Sequence, residues 1–295
     1  MFFRDRLRTQ LDAPAQDLAQ EEPFALDGLQ NFQLVAQMVR ARLKGADVQQ
    51  VLTPLRLRGE LALAGFGELQ QQHLQTQCDA LLERLHALLP DWPMHLPTQA
   101  ATLMLDDTEL QAQWADGQGV WQQNADQTAW LQIDVRAGSV IEGKAKQETP
   151  RMHALTDVWV NHLMACASGT PTHSWQVGLN GVVQFKPLNA AEALAELRNL
   201  VQIYQAAWQQ PLPVARKTAC AYLMAQHLSE GHAMQAAQEV FVGHARQPGE
   251  RSRSEHVKRA FHTFDAIAPE LPTWAQRVYG PMVAAAQLLQ QETCA

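Results

Sequence analysis

Asp134, Glu142 and Lys144 are the residues whose types and spacing come closest to a catalytic set. Asp134 precedes Glu142 by eight positions, and Glu142-Gly143-Lys144 reads carboxylate, any residue, lysine. Two carboxylates can hold Mg²⁺ while a lysine stabilises the attacking water or the developing charge of phosphodiester hydrolysis, provided that all three converge at one strand edge. The setting works against convergence. Gly143 interrupts the strand and the following AKQETPR reads as a solvated connection, so loop charges facing water are the preferred reading. His153, Asp157 and His162 form a second titratable group on a predicted helix from about Met152 to Ser168, with the first two one turn apart. His162 falls between Trp159 and Leu163 near the apolar face, which predicts a satisfied core histidine rather than a metal ligand. Gly65 and Gly67 lack the further glycine of a phosphate loop, and no GxSxG, HExxH or Walker pattern is present.

Cations cluster although the chain is acidic overall. Arg246, Arg251, Arg253, Lys258 and Arg259 surround a glycine-containing loop and form the best candidate for a DNA path, against the plainer reading of a solvated loop. Arg40, Arg42 and Lys44 are explained by the helix dipole, which favours cations at a C-terminus. A strand-splitting wedge needs an aromatic or apolar tip, because a separated base must find a new stacking partner. Trp114 and Trp121 flank Asp116 to Gly119, and Val182 and Val183 follow Asn180-Gly181, so both segments are candidate tips, with Trp121 the favoured DNA contact. At strand spacing such residues also serve as cross-strand core pairs.

At 295 residues, 46% hydrophobic and 18% charged, the chain is long enough to bury a sizeable core. A net charge of -7 argues against a freestanding nucleic-acid binder, so any DNA contact must come from a local patch or a partner. Cys78, Cys166, Cys220 and Cys294 are widely spaced with no CxxC pair, which fits buried thiols in a reducing cytoplasm and disfavours a zinc ribbon. No apolar run approaches the roughly 20 residues that span a bilayer. The chain opens directly into FFRDRLRTQL, which reads as a helix with no leader.

The elements that must position these residues fall into an expected helical segment over 1–97 and an α/β region over 98–295. Asp27 caps a helix carrying Leu29, Phe32, Val35, Val39 and Leu43, which Gly45 stops. A long stripe follows through Phe66, Leu69, Leu74, Cys78, Leu81, Leu85 and Leu88. Alternation between Ala100 and Arg136 predicts four strands, with Asp116 to Gly119 as a hairpin turn. A second hairpin, SWQVGLNGVVQF, is expected to turn on Asn180-Gly181 as type I′. Helices are predicted over about 190–208, 214–229 and 233–242, and in a last stretch through Trp274, Val278, Met282 and Leu289.

Six stretches in fixed order then carry a resemblance. They are FFRDRL from Phe2, EEPFALDGL from Glu21, RGELALAGFGE from Arg58, DVWVNHLMACASG from Asp157, PLP from Pro211 and RVYGPM from Arg277. Together they resemble the C-terminal region of the RecC family, the gamma subunit of exodeoxyribonuclease V. That resemblance implies an α+β, PD-(D/E)xK nuclease-like fold with a degenerate active centre, a central mixed or antiparallel sheet flanked by helices, and a longer parent polypeptide. It implies a non-catalytic scaffold that splits and guides DNA strands in the repair of double-strand breaks. RecB-like and RecD-like subunits, double-strand DNA ends and separated single strands are the implied partners. ATP would enter only through those subunits, and the chain itself would need no cofactor. Two other functions stay open: an active Mg²⁺-dependent nuclease using Asp134, Glu142 and Lys144, and an interaction scaffold without DNA contact, which the acidic balance favours.

Overall fold

The computed structural model describes residues 26–62, 64–96, 99–114, 120–143, 147–244 and 247–289. In chain order the elements are α1 (Gly28–Leu43), α2 (Gln49–Leu57), α3 (Ala64–Leu88), β1 (Met94–His95), β2 (Gln99–Leu105), β3 (Thr108–Trp114), β4 (Val120–Gln123) and β5 (Trp130–Val135). There follow β6 (Ile141–Glu142), β7 (Thr149–Pro150), α4 (Thr156–Ala167), β8 (Thr172–Gly178), β9 (Gly181–Phe185), α5 (Ala190–Gln209), α6 (Arg216–Ala225) and α7 (Glu230–Val242). The last are β10 (Gly243–His244), β11 (Gln247–Pro248), α8 (Glu250–Arg253), α9 (Glu255–Ala260), α10 (Leu271–Ala285) and β12 (Gln287–Leu288). Two compact units result. The sheet unit has residues 26–151, 157–190 and 287–289 among its described part, and the helical unit has Met152–Thr156 and Ala191–Ala286.

Local chemistry sets the helix ends. Asp27 Oδ1 accepts from the Gln30 amide at 2.7 Å while Gln30 Oε1 accepts from the Asp27 amide at 3.1 Å, a reciprocal capping box that starts α1. Gly45, at φ 74°, follows its end in a conformation that costs a side chain more than a hydrogen. The buried face of α1 is Leu34, Val35, Met38 and Val39, turned away from Leu29, which is 65% exposed. These residues join Leu52 and Leu55 of α2 and Leu74, Cys78 and Leu81 of α3 in one apolar cluster. The helix α2 was not expected from sequence, because its Pro54 disguises it as a break.

Six strands form the main sheet in the order β1-β4-β5-β8-β9-β12. Among the described residues only β5 and β8 pair in parallel, since the chain between them crosses over through α4; the sheet is mixed and the fold is α/β. Alternation gives its two faces different characters. Leu131, Ile133, Trp175, Val177 and Val182 pack with Leu85 of α3 on one face. Gln132, Asp134, Thr172, Ser174 and Gln176 point to the other.

Three sequence expectations change at the strands. The tight hairpin joins β2 to β3 through Asp106, at φ 52°, while β3 and β4 belong to different sheets; the Asp116 to Gly119 segment itself lies outside the described residues. The β8–β9 hairpin forms, but Gly178 faces Gly181 and the turn residues are Leu179 and Asn180. Asn180 is not in the left-handed region that a type I′ turn requires. Its side chain is engaged elsewhere: Oδ1 accepts from the Val140 and Ile141 amides at 2.8 and 3.2 Å. The last helix stops at Ala285, and β12 pairs with β9, so Leu289 packs against the sheet instead of extending α10.

In the helical unit, Ala219, Ala233, Ala237 and Ala275 are fully buried around Tyr222, Phe241, Phe264 and Leu271. Small residues at these positions let short helices approach closely. Glu250 supplies a tertiary cap for α6, accepting from the Lys217 and Thr218 amides at 3.0 and 2.8 Å and from the Thr218 hydroxyl at 2.9 Å. Among the described residues no helix is long and apolar enough to cross a membrane.

Candidate nucleic-acid interface

Asp134 lies in β5, directly opposite Gln176 of β8, and its Oδ2 accepts from Gln176 Nε2 at 2.9 Å. Burial pushes its carboxyl above the usual range, while the Gln176 hydrogen bond and the Arg136 charge pull it back. Glu142 sits instead in β6, part of a separate two-stranded ribbon with β7. It is exposed and lies 3.9 Å from the Arg151 guanidinium. Lys144 lies outside the described residues. The two carboxylates of the sequence pattern therefore stand on different sheets.

His162 is fully buried beneath α4, its Nδ1 2.9 Å from the Ser174 hydroxyl, which in turn donates to Gln132 Oε1 at 3.3 Å. Its ring packs against both Trp159 and Phe185, which also touch each other, with centroids 5.7, 5.5 and 5.1 Å apart. Burial lowers its pKa to about 4, so it is neutral at ordinary pH. Cys166 completes the cluster, its thiol 3.6 Å from the Thr172 carbonyl. His153 does not share the helix with Asp157 and His162 as the sequence suggested; it lies in a 3₁₀ turn, Met152–Ala154, ahead of α4. Gly67 is also structural: a Cβ there would meet the Ala62 carbonyl oxygen at 2.0 Å.

The wedge candidates are placed in the core. Trp121 is 4% exposed and Trp114 7%, with ring centroids 5.0 Å apart, and the Trp114 indole donates to Asn161 at 3.0 Å. Trp121 also meets Trp130 edge-on at 6.0 Å. A ring enclosed on both faces presents nothing for a base to stack on. Val182 and Val183 are likewise buried.

The basic cluster occupies two short helices and their flanks. Arg246 lies outside the described residues. Arg251, in α8, donates to the His262 carbonyl, and Arg253 lines a cleft of about 200 Å³ with Lys217, His244 and Glu250. Lys258 and Arg259 end α9 with exposed side chains, Lys258 lying 3.4 Å from Glu255. Sequence patterning passed over the neighbours of these cations. His256, Phe261 and Tyr279 border a second cavity, of about 300 Å³, with Pro211, Leu212 and Val257. The signal was the run EHVKRAF, in which cations alternate with ring-bearing and apolar residues.

Residues 1–227 match the family described as the RecC C-terminal domain. The chain belongs to that family. Its similarity to the RecBCD enzyme subunit RecC of Escherichia coli (strain K12) is 24% identity over 237 residues, covering 79% of this chain. The RecC-family chain spans 19% of that subunit's length. The α9 cavity takes half of its lining, His256, Val257, Ala260, Phe261 and Tyr279, from beyond position 227, outside the stretch that the family match covers.

Proposed function

We propose that this RecC-family chain is a non-catalytic scaffold that guides and splits DNA strands within a helicase–nuclease assembly repairing double-strand breaks. The match to the RecC C-terminal domain carries the reading. The core is proposed to be a PD-(D/E)xK nuclease-like fold whose active centre has been filled in. Supporting this, Asp134 is paired with the Gln176 amide, where a metal pair would need a second carboxylate. An amide contributes no charge, and burial together with the Asp157 charge raises the Asp134 carboxyl, which disfavours the ionised form that Mg²⁺ would need. RecB-like and RecD-like subunits are the proposed partners, the cytoplasm the proposed compartment, and double-strand ends and separated single strands the proposed DNA. ATP would act only through those subunits. The DNA-facing residues proposed are Arg246, Arg251, Arg253, Lys258 and Arg259, without the buried Trp121.

The test uses the chain with linear duplex or single-stranded DNA and Mg²⁺ or Mn²⁺, alone and mixed with RecB-like and RecD-like subunits. The chain alone should leave the DNA intact and should co-purify with at least one of the subunits. Metal-dependent cleavage that disappears in Asp134→Ala or Glu142→Ala would sink the proposal, as would failure to bind either subunit.

A further inference from the structure

The cavity beside α9 is open to solvent, and its lining is of two kinds. Pro211, Leu212, Val257 and Phe261 give apolar walls, while His256 and Tyr279 add rings with polar atoms. Phe261 and Tyr279 are half-buried, pack against the helical core and border the cavity. The His256 Nδ1 is buried with no hydrogen-bond partner among the described residues. A desolvated imidazole nitrogen left unpaired is a deficit that a bound polar group removes. The torsion that turns this ring is broad and two-fold, so the nitrogen can reach an occupant at small cost.

Charge decides between possible occupants. Residues 249–263 carry Arg251, Arg253, Lys258 and Arg259 against Glu250 and Glu255. Glu250 is spent on the α6 amides, and Glu255 is shared with Lys258 at the surface. His256, Val257 and Ala260 of α9 line the cavity, while Lys258 and Arg259 lie exposed on the same helix. A ring-lined hollow bordered by a helix that also carries exposed cations matches a flat aromatic heterocycle joined to phosphate. An apolar protein side chain would use the hollow and leave the cations idle.

We propose that the α9 cavity receives one unstacked base of a single DNA strand, with Lys258 and Arg259 holding the flanking phosphates. Phe261 and Tyr279 supply the stacking faces, and His256 bonds a base edge. The site reads single strands without sequence preference, because every base has a stacking face. It also discriminates against duplex, whose bases are already stacked. This proposal rests on the basic segment being a DNA path.

The test measures binding of the full chain, at low salt, to a labelled single strand and to an abasic strand of the same length. The base-bearing strand should bind about tenfold tighter. Phe261→Ala should erase that preference while leaving abasic binding unchanged. Ala260→Leu, which fills the hollow without removing a wall, should do the same and covers the case in which Phe261→Ala does not fold. Equal binding of both strands by the unaltered chain overturns the base site and leaves the basic path standing. If neither strand binds, the basic path itself fails. If both variants keep the preference but release a RecB-like subunit, the cavity holds a protein side chain and the proposal is wrong.

Discussion

Beneath α4, His162 meets Ser174, Ser174 meets Gln132, and Gln176 meets Asp134. Around the α9 cavity, by contrast, His256 Nδ1 has no partner among the described residues and the Lys258 ammonium lies 3.4 Å from Glu255 at the surface. Both regions set polar groups against an apolar background, yet the first bonds side chain to side chain across the sheet. Polar groups that bond one another have less left with which to bind a ligand, and they are tied to the stability of the sheet. A buried nitrogen without a partner costs stability until an occupant bonds it. The same residue types, histidine and aromatic rings, thus take different roles according to whether their polar atoms are satisfied.

The largest effect expected from this contrast is on stability. Phe185 is fully enclosed against Trp159 and His162, so Phe185→Ala should cost about 3–5 kcal/mol in urea unfolding. Phe261 is half-buried, and Phe261→Ala should cost roughly 1 kcal/mol, because less apolar area leaves water on folding. Comparable losses at both positions would remove the distinction between a closed core and an open rim.

Acid should expose the network beneath α4 next. His162 titrates near 4 when folded against its ordinary 6.5, so between these values the unfolded chain binds the extra proton. Its contribution is therefore intact above about pH 6.5 and is lost as pH falls toward 4, by roughly 3 kcal/mol at most. Asp134 works in the opposite sense. Its folded pKa is raised, so the folded chain binds its proton more readily and recovers stability as pH falls through that value. Urea midpoints taken from pH 7.5 to 4.5 should fall for the unaltered chain, fall less for His162→Gln and fall more steeply for Asp134→Asn. A His162→Gln profile that matches the unaltered chain would show that this histidine is not held neutral by burial.

These titrations bear on how far the sequence could be read. Position and period revealed α1, α3 and the β8–β9 hairpin, because capping, apolar stripes and turn residues act over a few neighbours. The placing of His162 in the core was legible for the same reason: Trp159 and Leu163 fix the face on which it lies. Partnership across the sheet was not. Nothing local to Asp134 says that Gln176 will stand opposite it, since that register depends on the crossover through α4. Nor does local spacing separate β3 from β4, which a short connection would ordinarily join in one hairpin. Trp114 and Trp121 looked like a tip for that reason, and tertiary packing placed them inside. The α9 cavity shows the same limit, because Pro211 and Tyr279 approach EHVKRAF only through the packing of α5, α9 and α10.

The smallest structural effect is expected where the proposed DNA contact is most direct. The Lys258–Glu255 pair is 3.4 Å apart with side chains 53% and 60% exposed, a setting in which an ion pair contributes only a few tenths of a kcal/mol. Lys258→Gln and Arg259→Gln, singly or together, should therefore leave the urea midpoint almost unchanged. Their effect should appear in binding to a single strand as salt is varied. Each phosphate contact releases counterions, so the slope of log K against log salt should shrink by about 0.7 for each contact removed. The two changes should add, because they remove separate charges and leave the cavity walls in place. An unchanged slope with weakened affinity would place the phosphates elsewhere. An unchanged slope and affinity would make these cations solvated surface charge, and the contrast between the two regions would then rest on His256, Phe261 and Tyr279 alone.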